Sequence, residues 1–162
     1  MLNNQDEQPV APTPLLYQLL NFLPNLEILW MKKKRVFLSF IEEDKQRVQG
    51  LRLLAANPDY DLEFYDESVR AQIDSIDAEY VKRRIREKIS RTTVTICLIS
   101  EQTHTSKWVD WELEESAEKG NAIIAIALKD VQRAVLPKLI KQKGLTFYTW
   151  DPKHLNQLIR EA

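Results

Sequence analysis

Glycine is scarce in this sequence, with only Gly50, Gly120 and Gly144 among 162 residues. None of them lies between a predicted strand and the helix that follows it. The chain therefore lacks both the phosphate-binding loop and the glycine fingerprint of dinucleotide-binding folds, since each needs glycine in that turn. A nucleotide phosphate would have to be bound by other donors.

Cysteine and histidine are scarcer still. Cys97 is the one cysteine, and it lies in an apolar run that predicts a buried, unreactive thiol. A chain without a disulfide framework suits a reducing compartment, so we expect a cytoplasmic location. The two histidines, His104 and His154, have no second cysteine to complete a zinc-like cluster, and we expect no metal site.

The chain carries no excess charge of either sign. Its 23 lysines and arginines balance 24 acids, giving a formal net charge of -1. No overall field favours nucleic acid or an anionic membrane, and we expect neither partner. The strongest basic cluster is interleaved with Glu79 and Glu87, a pattern typical of a solvated helix face. Its members are Lys82, Arg83, Arg84, Arg86, Lys88 and Arg91.

Residues 1–31 read as an extension that precedes one folded domain, residues 32–162. The extension begins with a polar, proline-containing stretch that predicts disorder. An amphipathic helix with leucines at 15, 16, 19, 20 and 23 is expected next, docked on the domain or on a sister chain. Polar and proline interruptions, and the absence of preceding basic residues, argue against a membrane span or a signal peptide.

Within the domain, strand and helix patterns alternate about five times. Strands are predicted at 35–40, 62–65, 93–100, 122–128 and 145–150. Helices are predicted at about 42–57, 77–90, 106–120 and from 152, with a helical turn at 136–141. This alternation predicts an α/β, three-layer, flavodoxin-like fold with a central parallel sheet of about five strands and helices on both faces.

In such a sheet, ligands bind at the carboxyl ends of the strands where the strand order reverses, here between the first and third strands. Ser39 and Asp66 lie at strand ends, where they would hydrogen-bond a ribose or cap the next element. Phe40 would stack on a base or belong to the core. A phosphoacceptor receiver domain shares the fold, but it needs an aspartate after the third strand, where this chain has Ser100 and Glu101.

One carboxylate of the 106–120 helix is predicted to face inward. With about 100° per residue, Glu112 falls about 40° from Trp108, on the same arc as Val109 and Leu113. A carboxylate turned toward the interior must be hydrogen-bonded, paired or facing a cleft. Glu112 is therefore a candidate for a buried structural carboxylate or for a functional one.

The segment Ser106-Lys107-Trp108-Val109-Asp110-Trp111-Glu112-Leu113, together with the strands 35–40 and 93–100, resembles TIR domains. The resemblance spans about 34–130 and is closest to the bacterial TIR-like branch of Thoeris anti-phage systems. It implies cleavage of the nicotinamide–ribose bond of NAD, with Glu112 matching the family's catalytic glutamate and Trp108 the tryptophan one turn earlier. It also implies that NAD is a substrate, not a resident cofactor.

The resemblance leads to the hypothesis of a NAD-consuming enzyme whose (cyclic) ADP-ribose product signals to a separate effector in phage defence. In this hypothesis Glu112 is catalytic, and Ser39, Phe40, Asp66 and Trp108 bind the substrate. One alternative is a non-catalytic TIR-like assembly module that forms homo-oligomers through TIR-like surfaces or the N-terminal helix. Another is a nucleoside deoxyribosyltransferase-like enzyme, which free nucleobases would reveal by competition.

Overall fold

The structure is a computed structural model, and it describes residues 34–55, 62–65 and 78–162, with the backbone alone for 52–55 and 62–65. The predicted extension 1–31 and the predicted site residue Asp66 lie outside the described residues. All described residues fall within the domain that the sequence predicts over 32–162.

A five-stranded sheet with all neighbours parallel forms the centre of the domain. In chain order its strands are β1 (Lys34–Ser39), β2 (Leu62–Tyr65), β3 (Val94–Ile99), β4 (Ala122–Ala127) and β5 (Phe147–Tyr148). Their order in the sheet is β2-β1-β3-β4-β5. The chain crosses from one side of β1 to the other between β2 and β3, so the reversal point lies between β1 and β3, as predicted.

Helices follow the strands in the expected alternation. They are α1 (Lys45–Ala55), α2 (Ala78–Ser90), α3 (Lys107–Lys119), α4 (Lys138–Gln142) and α5 (Pro152–Glu161), with short 3-10 turns at Glu42–Asp44 and Thr103–Thr105. The predicted flavodoxin-like α/β fold is therefore confirmed.

Helices cover both faces of the sheet because the side chains of β1, β3 and β4 alternate between them. On one face, Leu38 and Ile96 pack in a cluster with residues of α1 and α5. On the other, Cys97 and Ile99 pack against α3 and α4, and Phe37 packs against α2. We call these the α1 face and the α3 face.

β3 has no polar side because both faces are covered. All six residues of Val94–Ile99 are buried, and such a strand reads as a continuous apolar run. Full burial of a valine or leucine side chain contributes about 1.5–3 kcal/mol. The centre of the sheet is thus a rigid base for the groups at its carboxyl end.

The most marked departures from the predicted bounds are at the last strand and at the start of the first helix. The last strand was expected over 145–150, but only Phe147 and Tyr148 pair with β4. The chain turns away soon afterwards because Asp151 caps α5, accepting a hydrogen bond from Lys153 N at 2.9 Å. The first helix begins at Lys45 and not at Glu42, since a 3-10 turn occupies Glu42–Asp44.

Candidate functional site

Helix α3 is held at both ends by the residues that the sequence marks as caps. The Ser106 hydroxyl accepts a hydrogen bond from Val109 N at 3.3 Å, and Gly120 ends the helix with a φ of 84°. That left-handed conformation strains any residue with a Cβ, which explains the glycine. The buried side of the helix consists of Trp108, Val109, Glu112, Leu113 and Ser116.

The inward carboxylate of α3 contacts the end of β1. Ser39 Oγ donates a hydrogen bond of 2.6 Å to Glu112 Oε2, and both residues are fully buried. A short O–H···O bond to a carboxylate is a strong, charge-assisted contact. The prediction that Glu112 points into the protein is confirmed, and Ser39 at the reversal point of the sheet is one of its partners.

A thiol lies beside this pair. Cys97 is the residue of β3 that aligns with Ser39 of β1, and it is completely buried. Burial raises the pKa of the Cys97 thiol far above its usual range, and the nearby charges of Glu112 and Asp110 raise it further. The thiol stays protonated and is unsuited to act as a nucleophile.

The remaining predicted site residues are placed differently. Trp108 is one turn before Glu112, 9% exposed, and packs with Phe37 and Ile85. Its ring meets that of Trp111 edge-on, with centroids 5.6 Å apart. Phe40 belongs to the core cluster of the α1 face, on the other side of the sheet from Glu112. The structure thus joins Ser39 and Glu112, while the Phe40 side chain packs on the opposite face of the sheet; substrate binding by any of these residues stays a prediction.

Sequence reasoning missed other polar groups at the carboxyl end of the sheet. After β3, Thr103 Oγ1 accepts a hydrogen bond of 2.8 Å from Ser100 N and closes the turn into α3. After β1, Asp44 pairs with Arg47 at 2.9 Å. The two residues of each pair are three positions apart, a spacing that predicts a local contact.

Metal binding has no support in the described residues. Among them, no three histidine, cysteine or acidic side chains come together in a group that would hold an ion. The groups described at the carboxyl end that could contact a ligand are a buried carboxylate, hydroxyl groups and the Arg47 guanidinium.

A family model described as "Thoeris protein ThsB, TIR-like domain" matches residues 37–133, which is more than half of the chain. The chain belongs to this family. The match contains β3, all of α3 and the second half of β1, so it includes Ser39 and Glu112. The expected relation to the Thoeris TIR-like branch is confirmed.

A curated relative supports the same family. It is a Bacillus cereus (strain MSX-D12) protein named "Putative cyclic ADP-D-ribose synthase ThsB1", 45% identical over 53 residues. The matched stretch is 31% of this chain and 28% of the relative's length.

Solved structures share the fold at low sequence identity. A 2-deoxyribosyltransferase from Bacillus psychrosaccharolyticus has a TM-score of 0.54 at 16% identity, covering 75% of this chain and 90% of that one. The TIR domain of the Toll-related receptor TRR-2 from Hydra magnipapillata has 0.53 at 17%, covering 78% and 91%. The CMP N-glycosidase BcmB from Clostridium botulinum has 0.52 at 17%, covering 80% and 100%.

In residues 34–55, 62–65 and 78–162, no helix is both long and apolar enough to span a membrane.

Proposed function

We propose that this TIR-like domain cleaves the nicotinamide–ribose bond of NAD and releases an ADP-ribose product, linear or cyclic, that acts as a signal on a separate effector in anti-phage defence. The observation that supports this most is a fully buried glutamate, Glu112, bonded to Ser39 at the reversal point of the sheet. The name of the Bacillus cereus relative supports cyclic ADP-ribose as the product class.

Glu112 would act on the charge that develops during bond cleavage. As the bond between ribose C1′ and the pyridinium nitrogen breaks, its electron pair leaves with nicotinamide, which becomes neutral and needs no proton. Positive charge then develops on C1′ and the ring oxygen. A carboxylate beside the ribose stabilises that charge, most strongly where water is excluded.

The fate of the ribosyl cation decides the product. Attack by water forms a C1′–O bond, loses one proton and gives ADP-ribose. Attack by a nucleophilic atom elsewhere in the same ADP-ribose forms a ring without consuming water. Exclusion of water from the occupied site would favour the second outcome, since water then competes poorly.

Substrate access requires movement. Glu112 is fully buried in this structure, so a ribose reaches it only if covering groups move and a ribose hydroxyl takes the place of Ser39 as a donor. Such movement would accompany activation of the domain, and assembly into a homo-oligomer is one way to stabilise the open form. A cytoplasmic location, where NAD is abundant, belongs to this proposal.

The test compares the full chain with its Glu112→Gln variant. Glutamine has nearly the same shape and still accepts the Ser39 hydrogen bond, so the fold is retained while the charge is lost. We expect nicotinamide release from NAD to fall by roughly 100- to 1000-fold, the usual range for losing one electrostatic stabiliser of a transition state. Release is measured by chromatography and mass spectrometry, on purified protein and on cells challenged with phage.

Glu114→Gln is the matched control. Glu114 lies on the same helix and loses the same charge, but its side chain is exposed, so its turnover should equal that of the unmodified chain. Equal turnover by the Glu112 and Glu114 variants would contradict the assignment of Glu112.

A non-catalytic assembly module is the second candidate. It is favoured by the same burial, because a carboxylate bonded to a serine also serves as a structural tie between α3 and β1. In that case neither variant releases nicotinamide, in purified form or in challenged cells, and light scattering shows concentration-dependent association. Addition of free nucleobases separates the third possibility, since a base-transferring enzyme would form a new nucleoside.

A further inference from the structure

A second charged group lies at the carboxyl end of the sheet, apart from Glu112. Arg47 Nη1 donates to Asp44 Oδ1 at 2.9 Å, and Arg47 Nη2 donates to the carbonyl oxygen of Lys129 at 2.6 Å. We call this group the Asp44–Arg47 clamp. It ties the turn after β1 to the loop after β4.

The position of the clamp matters because the strands are parallel. Asp44 follows the last residue of β1, Ser39, by five positions, and Lys129 follows the last residue of β4 by two. β3 lies between those strands, so the clamp joins the segments that follow two strands which do not pair with each other. Ser39, the hydrogen-bond donor to Glu112, lies at the same end of the sheet. Arg47 belongs to α1 and Glu112 to α3, which cover opposite faces, so a dinucleotide that contacts both would pass over the carboxyl ends of the strands.

Arg47 keeps donors for a further partner. A guanidinium has five N–H groups in a fixed plane, and the two contacts of the clamp occupy one on each terminal nitrogen. The side chain is 38% exposed, so solvent and solutes reach part of it. Two fixed contacts orient the plane in advance, which is the arrangement that favours bidentate binding of a phosphate.

Asp44 is incompletely satisfied in the clamp. The residue is only 5% exposed, and its second oxygen, Oδ2, is buried with no hydrogen-bond partner among the described residues. The bonded oxygen, Oδ1, fixes the position of the Arg47 guanidinium.

We propose that the clamp is an anion subsite, in which Arg47 binds the pyrophosphate of a dinucleotide and Asp44 is the residue that positions Arg47. This rests on the proposed function, because the pyrophosphate is attached to the ribose that Glu112 would contact. The chain lacks the glycine loops that usually bind phosphate. In this subsite the Arg47 guanidinium would donate the hydrogen bonds to phosphate at the carboxyl end of the sheet.

The experiment measures binding of ADP-ribose and of inorganic pyrophosphate to the full chain by calorimetry. Arg47→Gln should weaken both by roughly 10-fold, since it removes charge-assisted hydrogen bonds to phosphate. Arg84→Gln is the matched control, because Arg84 forms an exposed pair with Glu87 at the same three-residue spacing. Its affinity for both probes should equal that of the unmodified chain.

Asp44→Asn separates an anion subsite from a purely structural clamp. Asparagine still accepts a hydrogen bond from Arg47 but removes a negative charge beside the phosphate, so anion affinity should stay or rise. A merely structural clamp predicts that both substitutions weaken binding alike. A parallel loss of affinity in the Arg47 and Asp44 variants would therefore overturn the proposal, as would unchanged affinity in Arg47→Gln.

Two further readouts keep the test decisive. If Arg47→Gln does not fold, the affinity of the unmodified chain for both probes is measured at increasing salt concentrations up to about 1 M. At that concentration the Debye length is about 3 Å, so the affinity should fall strongly. An affinity that does not depend on salt overturns the proposal. Nicotinamide release distinguishes this proposal from the function on which it rests. If turnover depends on Glu112 but the KM for NAD is the same with and without Arg47→Gln, the subsite alone is overturned. If ADP-ribose binding depends on Arg47 but no nicotinamide is released, the subsite stands and the NAD-cleaving function is contradicted.

Discussion

The two ends of the sheet bury different polar groups against α3. At the amino end, polar side chains form a hydrogen-bonded network, whereas at the carboxyl end the Glu112 carboxylate is buried against Ser39. In the network, Asn121 Nδ2 donates to Thr92 Oγ1 at 3.1 Å and to Thr95 Oγ1 at 3.4 Å. Thr95 Oγ1 donates to Ser116 Oγ at 2.8 Å. Lys119 Nζ closes it with bonds of 2.6 Å to Thr92 O and 3.2 Å to Asn121 Oδ1.

The two ends differ in what they bury. The network consists of neutral hydroxyl and amide groups, and its one charge belongs to Lys119, which is exposed. The carboxyl end buries Glu112 completely, and Asp44 Oδ2 has no partner among the described residues. Burying charge costs much more than burying satisfied neutral groups. Stability alone accounts for the amino end, whereas the buried charge of the carboxyl end is the observation on which the proposed function rests.

Helix α3 connects the two ends. Ser116 and Glu112 are four residues apart on its inner side, and both form hydrogen bonds to the sheet. The Ser116 contact reaches β3 and the Glu112 contact reaches β1. The neutral bond anchors the helix, and the charged bond is the one that a substrate would replace.

Ser39→Ala should produce the largest change in stability. It removes the 2.6 Å hydrogen bond to a fully buried carboxylate, and bonds to charged groups contribute about 1.5–3 kcal/mol. We expect the free energy of unfolding in urea to fall by that amount. In a Glu112→Gln background the loss should shrink to about 1 kcal/mol, and an equal loss in both backgrounds would show that the charge of Glu112 does not contribute.

Asn121→Ala should cost somewhat less. It removes two hydrogen bonds to buried threonine hydroxyls and the bond that Asn121 Oδ1 accepts from Lys119 Nζ. We expect a loss of about 1–2 kcal/mol, because the hydroxyls are neutral and Lys119 is exposed. Nicotinamide release per folded molecule should not change, since the network lies at the opposite end of the sheet from Glu112. A fall in turnover comparable with that of Glu112→Gln would erase the distinction between the two ends.

The Cys97 thiol should produce the smallest effect, and only at alkaline pH. Its pKa is raised in the folded state by burial and by nearby carboxylates, against about 8.5 in an unfolded chain. The resulting contribution to stability is fully present below the unfolded pKa and is lost as pH rises above it, because only the unfolded thiol ionises. From pH 9 to pH 10 the loss should grow by roughly 1 kcal/mol.

Cys97→Ala isolates that contribution from other groups that titrate at high pH. Urea unfolding of the two proteins at several pH values should show a difference in stability that narrows above pH ~9. A constant difference would mean that the thiol ionises equally in both states. Slow alkylation of Cys97 in the folded protein at the same pH gives an independent check.

The regular elements were largely predictable from local patterns. Ser106 and Gly120 bracket a helix, and their side-chain and backbone chemistry sets its ends whatever surrounds it. The apolar run of β3 indicated a strand covered on both faces. The length of β5 was harder to predict, because it depends on how far the backbone of β5 stays beside β4 and on the cap at Asp151.

The candidate site was predictable in part. Helical periodicity gave the inward direction of Glu112 without any tertiary information. Strand alternation separates two other candidates: Ser39 and Phe40 are adjacent, so their side chains point to opposite faces, and only one of them can lie beside α3. Phe40 accordingly packs on the α1 face. The three-residue spacing of Asp44 and Arg47 predicts their contact. No local pattern predicts the contact of Arg47 with Lys129, which lies 82 residues further along the chain.

The sequence by itself determined the alternation of strands and helices, the membership in a TIR-like family and the turn of one glutamate toward the interior, because each depends on local periodicity or on residues close together in the chain. Only the tertiary structure decided that Glu112 meets Ser39 beside Cys97 and that Arg47 bridges two strand-end loops. Those contacts depend on the order and register of parallel strands, which bring together residues that no local pattern relates.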